Sequence, residues 1–109
     1  EHITIPVAKV NDGNLYRFGY NADGKVIRFL LIKISESAIG SAFDACELCG
    51  AEGYYQSGAS VICKNCSAEI FIPTIGKEGG CNPIPLPSKI EDQKIKINLN
   101  DILGGKKLF

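Results

Sequence analysis

Two pairs of cysteines carry the clearest chemistry in this chain. They read Cys46-Glu47-Leu48-Cys49-Gly50 and, beyond the segment Gly50 to Ile62, Cys63-Lys64-Asn65-Cys66-Ser67. Two residues between cysteines let a tight turn aim both sulfurs at one ion, with backbone N–H groups left free to bond to the thiolates. Gly50 and Ser67 follow the second cysteine of each pair, where a small residue suits such a knuckle. A turn at Ser57-Gly58-Ala59 folds the intervening segment into a hairpin and brings the pairs together. Four thiolates from Cys46, Cys49, Cys63 and Cys66 then make a tetrahedral site for zinc or a single iron, or four corners for an iron–sulfur cluster.

The fifth cysteine, Cys81, follows Gly79-Gly80 and precedes Pro83. It is a candidate to replace one of the four ligands, to extend the site to a larger cluster, or to pack as a small buried hydrophobe. A disulfide framework is the competing reading of the five thiols, but a bond inside a Cys-x-x-Cys pair is usually redox-active, and two facing pairs fit a metal better. His2 is the one histidine, so no imidazole site can be built and little general-base chemistry is available. Asp44 and Glu47 beside the first pair are expected as surface groups or as supports of the ligands. No Gly-rich phosphate loop or Ser/His/Asp arrangement is present, and the chain is expected not to be an enzyme.

The elements that must position these cysteines read as mainly β, a small antiparallel β domain with a cysteine-rich, two-knuckle metal-binding loop region. Ile3, Ile5 and Val7 alternate with polar or imino neighbours; Tyr16, Phe18 and Tyr20 alternate likewise; Val26 to Ile34 is apolar on both faces near its centre. Turns at Asn11–Asn14 and Asn21–Gly24 separate them, predicting a three-stranded meander, with Ile39 to Phe43 as a fourth strand. Short strands are predicted near Tyr54–Tyr55, Ser60–Ile62 and Ala68–Ile72. Pro83, Pro85 and Pro87 hold the next segment extended. Lys94 to Leu99 is a late strand, with Asn100-Asp101 capping a short turn. The whole reads as a single domain over 1–109, divided into a β meander (1–43), a cysteine-rich region (44–87) and a closing strand with a C-terminal turn (88–109).

Lys plus Arg and Asp plus Glu both number 12, so the formal charge is zero and nothing resembles the basic face of a nucleic-acid binder. Hydrophobic residues at 45% are ordinary for a folded globule, and no apolar run is long enough to span a membrane. The chain starts at Glu1 without Met, which fits removal of a tag or a targeting segment and, in the latter case, a place outside the cytoplasm.

The string from Ala42 to Cys49, then Gly53-Tyr54-Tyr55-Gln56, Cys63-Lys64-Asn65-Cys66, and Gly79-Gly80-Cys81-Asn82-Pro83-Ile84-Pro85-Leu86 resembles the membrane iron-sulfur-containing FtrD-like family. Arg28-Phe29 and the closing Lys107-Leu108-Phe109 resemble it too. The resemblance implies an iron–sulfur centre outside the cytoplasm, with Cys46, Cys49, Cys63, Cys66 and Cys81 at the positions of the family's motif. It also implies redox or iron-uptake partner proteins, and contact with a membrane only through a further segment or a partner. The expectation is thus an extracytoplasmic protein of electron transfer or iron handling. The alternative is a zinc-knuckle binding or assembly module with no redox role, including homo-oligomers formed by strand exchange.

Overall fold

A computed structural model describes residues 1–109. Nine strands form three antiparallel sheets of three strands each. One sheet contains β2 (Tyr16–Ala22), β3 (Lys25–Ser35) and β4 (Ala38–Phe43) in that order. The second has the order β1 (His2–Pro6), β9 (Lys94–Asn98), β8 (Lys89–Glu91). The third is β5 (Tyr54–Ser57), β6 (Ser60–Cys63) and β7 (Glu69–Ile70). No helix is long and apolar enough to cross a membrane.

Strand β3 is the wall between two cores. Successive side chains of a strand point to opposite faces. Ile27, Phe29 and Leu31 therefore enter one core with Ile5, Ile95, Ile97 and Ile102, while Leu30 and Ile32 enter the other with Tyr54, Val61, Ile70, Cys46 and Cys63. All five of these β3 side chains are buried, as the apolar run at the strand's centre predicts. The first core ties the meander to the chain termini, and the second contains two of the cysteines.

The β2–β3 hairpin turns at Asp23-Gly24, both with positive φ (55° and 88°), and the Asn21 side chain accepts the Gly24 N–H at 2.8 Å. This is the turn that the Asn/Asp/Gly signal predicts. The three-stranded amino-terminal meander is not what forms. β1 pairs with β9, placing Ile3 opposite Ile97 and Ile5 opposite Ile95. The chain leaves β1 through a 3₁₀ turn at Val7–Lys9, whose Val7 N–H bonds to the Gln93 carbonyl, and buried Val10 then crosses to the other sheet. The Asn11–Asn14 segment is a crossover, with Asp12 accepting from the Asn14 N–H and the Tyr16 hydroxyl.

Two further differences lie near the carboxyl terminus. β8 was not expected, because its hairpin to β9 turns on Asp92 and Gln93 at φ 53° and 60°, and Gln is not a usual signal for a positive φ. The short helix α1 (Leu99–Leu103) is capped by Asn98, whose side chain accepts from the Asn100 N–H, and not by Asn100-Asp101. The proline segment is extended as predicted. It lies along β4, with the Phe43 N–H donating to the Ile84 carbonyl at 2.7 Å and Leu86 N–H to Ser41 at 3.2 Å, and so carries the chain onward from Cys81 beside the knuckles.

Candidate metal centre

The two cysteine pairs adopt closely related turns. In the first, Cys46 and Gly50 exchange backbone hydrogen bonds of 3.1 and 2.9 Å, and the Cys49 N–H donates to Cys46 Sγ at 3.1 Å. In the second, Cys63 receives the Ser67 N–H at 2.9 Å and donates its own N–H to the Ala68 carbonyl at 2.9 Å. Gly50 and Ser67 occupy the equivalent place at the turn's end, with φ 65° and 61°. The turn needs a left-handed residue there, which explains why small residues follow both pairs.

The hairpin of β5 and β6 brings the knuckles together. Tyr54 pairs with Cys63 across it, and the Gly53 carbonyl accepts the Lys64 N–H at 2.9 Å. Tyr54 is buried in the same core as Cys46 and Cys63, and its hydroxyl donates to the Cys81 carbonyl, fastening the third cysteine segment to the hairpin. Burial, then the nearby Cys46 thiolate, holds the Tyr54 phenol far above its ordinary pKa, so it remains a donor at any working pH.

Four thiols, those of Cys46, Cys49, Cys63 and Cys81, lie within 4.8 Å of one another and can hold a metal ion. Cys66 is outside that set; its sulfur sits 3.1 Å from the Cys81 sulfur and is exposed. The structure thus gathers all five cysteines in one place. Its compact foursome takes Cys81 where the spacing alone selects Cys66. His2 is exposed on β1 and is no part of this group.

Asp44 is fully buried beneath the first knuckle, not a surface group, whereas Glu47 is exposed. The Asp44 carboxylate accepts from Arg17 at 3.2 Å, from Arg28 Nε at 3.1 Å and from the Tyr54 N–H at 2.8 Å. Arg28 also donates to the Asp44 and Ala51 carbonyls, bracketing the knuckle at both ends, and stacks under the Phe109 ring at 4.9 Å. Gly53 is required here: its φ is 91°, and a Cβ would stand 3.0 Å from Asp44 Oδ2. The expected support of the ligands is therefore an ion network centred on one buried carboxylate, with its two arginines partly exposed. Its arginines come from β2 and β3, far from the cysteine pairs in sequence.

The thiols are not equivalent electrostatically. Burial opposes the Cys46 thiolate, but the N–H groups of Cys49 and Leu48 outweigh it and bring the pKa down. A hydrogen bond from Cys81 brings Cys66 down to about 7, and the same bond, together with desolvation, pushes Cys81 up to about 12. Asn65 stabilises the Cys49 thiolate, yet desolvation and the surrounding thiols together raise it to about 11. These opposed shifts belong to crowded thiols sharing protons, an arrangement a cation would relieve by taking thiolates as ligands.

The donor set tests which ion belongs here. It is sulfur only, which suits zinc, iron and iron–sulfur centres and does not suit magnesium or calcium. A tetrahedral ion with metal–sulfur bonds of about 2.3 Å sets its sulfurs about 3.8 Å apart. Four thiols mutually within 4.8 Å come to that spacing with shifts of no more than about 1 Å. A small antiparallel β domain with two knuckles and a fifth thiol gathered at one point is a thiolate metal-binding module. Residues 10–109 match the model of the family described as membrane iron-sulfur containing protein FtrD-like, and the chain belongs to that family. No curated protein matches the sequence.

Proposed function

We propose that this protein carries a cysteine-ligated iron centre outside the cytoplasm and serves electron transfer or iron handling. The observation that carries the reading is the gathering of four thiols within 4.8 Å, in a family described as iron-sulfur containing. Cys46, Cys49, Cys63 and Cys81 would hold the iron, with Cys66 beside Cys81 but outside the ligand set. Thiolate-bound iron supplies one-electron redox chemistry, its potential set by hydrogen bonds to sulfur and by solvent access. The protein's own residues govern both. The Cys49 N–H stabilises charge on Cys46 Sγ, the Asp44–Arg28 network fixes the first knuckle, and exposed Leu48 and Cys66 mark the side where the centre meets solvent.

A second reading rests on the packing. Cys46 and Cys63 belong to the second hydrophobic core, so an ion bound there would also contribute folding free energy, as structural zinc does in small domains. One experiment separates the readings. The protein is purified without oxygen, its visible spectrum recorded and its metals counted per chain. Colour that bleaches with dithionite, with iron present, is the expected result. A colourless protein with one zinc per chain would establish the structural reading instead. The number of irons and inorganic sulfides then distinguishes a single iron from a cluster.

A further inference from the structure

A tetrahedral ion takes four thiolates, and five are present. The one outside the compact set, Cys66, is also the exposed one, and it touches a member of the set. We propose that Cys66 and Cys81 form a reversible disulfide that withdraws Cys81 from the metal site. The withdrawal rests on the reading of Cys81 as a ligand; the disulfide itself does not.

Three observations point to this pair and not to the bonds within each Cys-x-x-Cys. The Cys66 and Cys81 sulfurs are already 3.1 Å apart, and closing to the ~2.05 Å of an S–S bond moves them by about 1 Å. An oxidant can reach Cys66, whereas Cys46 and Cys63 are buried. Both partners are presented from anchored backbone. Cys66 sits within the turn closed by the Ser67 N–H and Cys63 carbonyl, and Cys81 is fixed through its carbonyl by the Tyr54 hydroxyl, with Asn82 bonded to Thr74 just beyond. The freedom to adjust lies just ahead of Cys81, at Gly79 and Gly80, which have positive φ and open space around them.

The oxidant is a small external disulfide of the glutathione class. Cys66 thiolate attacks it, forming a mixed disulfide and releasing one thiolate. Cys81 thiolate then attacks the Cys66 sulfur, forming the Cys66–Cys81 bond and releasing the second. The two protein thiols lose two electrons and two protons. The external disulfide gains both electrons, and the protons leave on its two product thiols. Cys46, Cys49 and Cys63 remain, a set of three where four held the ion.

The test uses the full chain in two forms, metal-free and loaded with ferrous iron, both treated anaerobically with oxidised glutathione. Remaining thiols are trapped by alkylation and the cross-links mapped by mass spectrometry, with iron counted in parallel. A dominant Cys66–Cys81 cross-link is expected in both forms, with iron lost in step with it and recovered after dithiol reduction and iron addition. Cys66→Ser should keep its iron under the same treatment. Cross-links within Cys46–Cys49 or Cys63–Cys66, or glutathione that stops on Cys66, would overturn the disulfide. Equal iron loss from Cys66→Ser and the natural protein would overturn the withdrawal. If the reduced natural protein binds no metal, the proposed function fails and the withdrawal with it, while the metal-free cross-link map still decides the disulfide. That map needs no variant, so misfolding of Cys66→Ser cannot obscure it.

Discussion

The two knuckles have the same spacing and closely related backbone turns, each ending on a left-handed residue, yet they sit in different surroundings. The first rests on a buried carboxylate held by two arginines, and both its cysteines enter the compact thiol set. The second ends strand β6, contributes Cys63 to that set, and leaves Cys66 exposed against Cys81. Local sequence therefore determines the turn, while tertiary support determines which sulfur joins the set. A loop cysteine presented by Tyr54 takes the place that spacing would give to Cys66.

Ligand replacement should break this symmetry most strongly. Cys46→Ser should abolish stoichiometric metal binding, a larger loss than the roughly 10–100-fold that removing a supporting partner costs. Cys66→Ser should leave metal content unchanged in reducing buffer. Metal analysis of both variants, purified identically, checks the pair. Equal loss from both would mean that Cys66 is a full ligand and the two knuckles are equivalent.

The next largest effect belongs to the support under the first knuckle. Asp44→Ala leaves the Arg17 and Arg28 guanidiniums and the Tyr54 N–H without their shared acceptor. Removing one partner from a buried pair costs about 3–5 kcal/mol. A smaller loss, about 2 kcal/mol, is expected here because both arginines retain solvent contact and the Tyr54 N–H is the buried group left unsatisfied. Urea denaturation of the metal-free protein measures it. A change below about 1 kcal/mol, the scale of an exposed pair, would mean that the network does not hold the knuckle.

How much of this was legible in the sequence follows from the range of the interactions. The knuckles, the Asp23-Gly24 hairpin, the doubly buried β3 and the extended proline segment are written in residues close together, and the structure has them. The pairing of β1 with β9 joins opposite ends of the chain, and no local signal competes with the turn at Asn11–Asn14 that suggested a meander. The Asp44 network draws on β2, β3 and the Cys46 loop. The sequence hint was an aspartate two residues before a cysteine, but nothing local distinguished a buried anchor from a surface acid. The choice between Cys66 and Cys81 was open for the same reason, since it depends on where Tyr54 places the Cys81 loop.

The knuckles also differ in the reactivity of their thiols. In the metal-free protein the hydrogen bond from Cys81 lowers Cys66 to about 7, so Cys66 is about half thiolate at neutral pH, and its thiolate is lost as pH falls below that value. Cys49, its counterpart in the first knuckle, is raised to about 11 and stays protonated. Cys66 should alkylate with iodoacetamide at least roughly tenfold faster than Cys49 at neutral pH, the lower nucleophilicity of an acidic thiolate offsetting part of its abundance. Cys81→Ala removes the donor and should move the midpoint of the Cys66 pH–rate curve upward. Mass-spectrometric alkylation rates check both statements, and an unchanged midpoint would remove Cys81 as the cause.

The smallest expected difference lies in the turn itself. Gly50 and Ser67 share a left-handed φ, but only Ser67 carries a Cβ into it. That conformation costs an ordinary residue about 1–2 kcal/mol. A Cβ at Gly50 would meet nothing within 4 Å, so Gly50→Ala tests the backbone alone, and a loss of about 1 kcal/mol is expected. Ser67→Gly runs the other way. It relieves the strain but gives the unfolded chain more freedom, leaving a net gain of about 0.5 kcal/mol. Paired urea titrations of the metal-free variants resolve the opposite signs. Losses at both positions would show that the Ser67 side chain contributes something its exposed position does not suggest, and that the two turns differ in more than their surroundings.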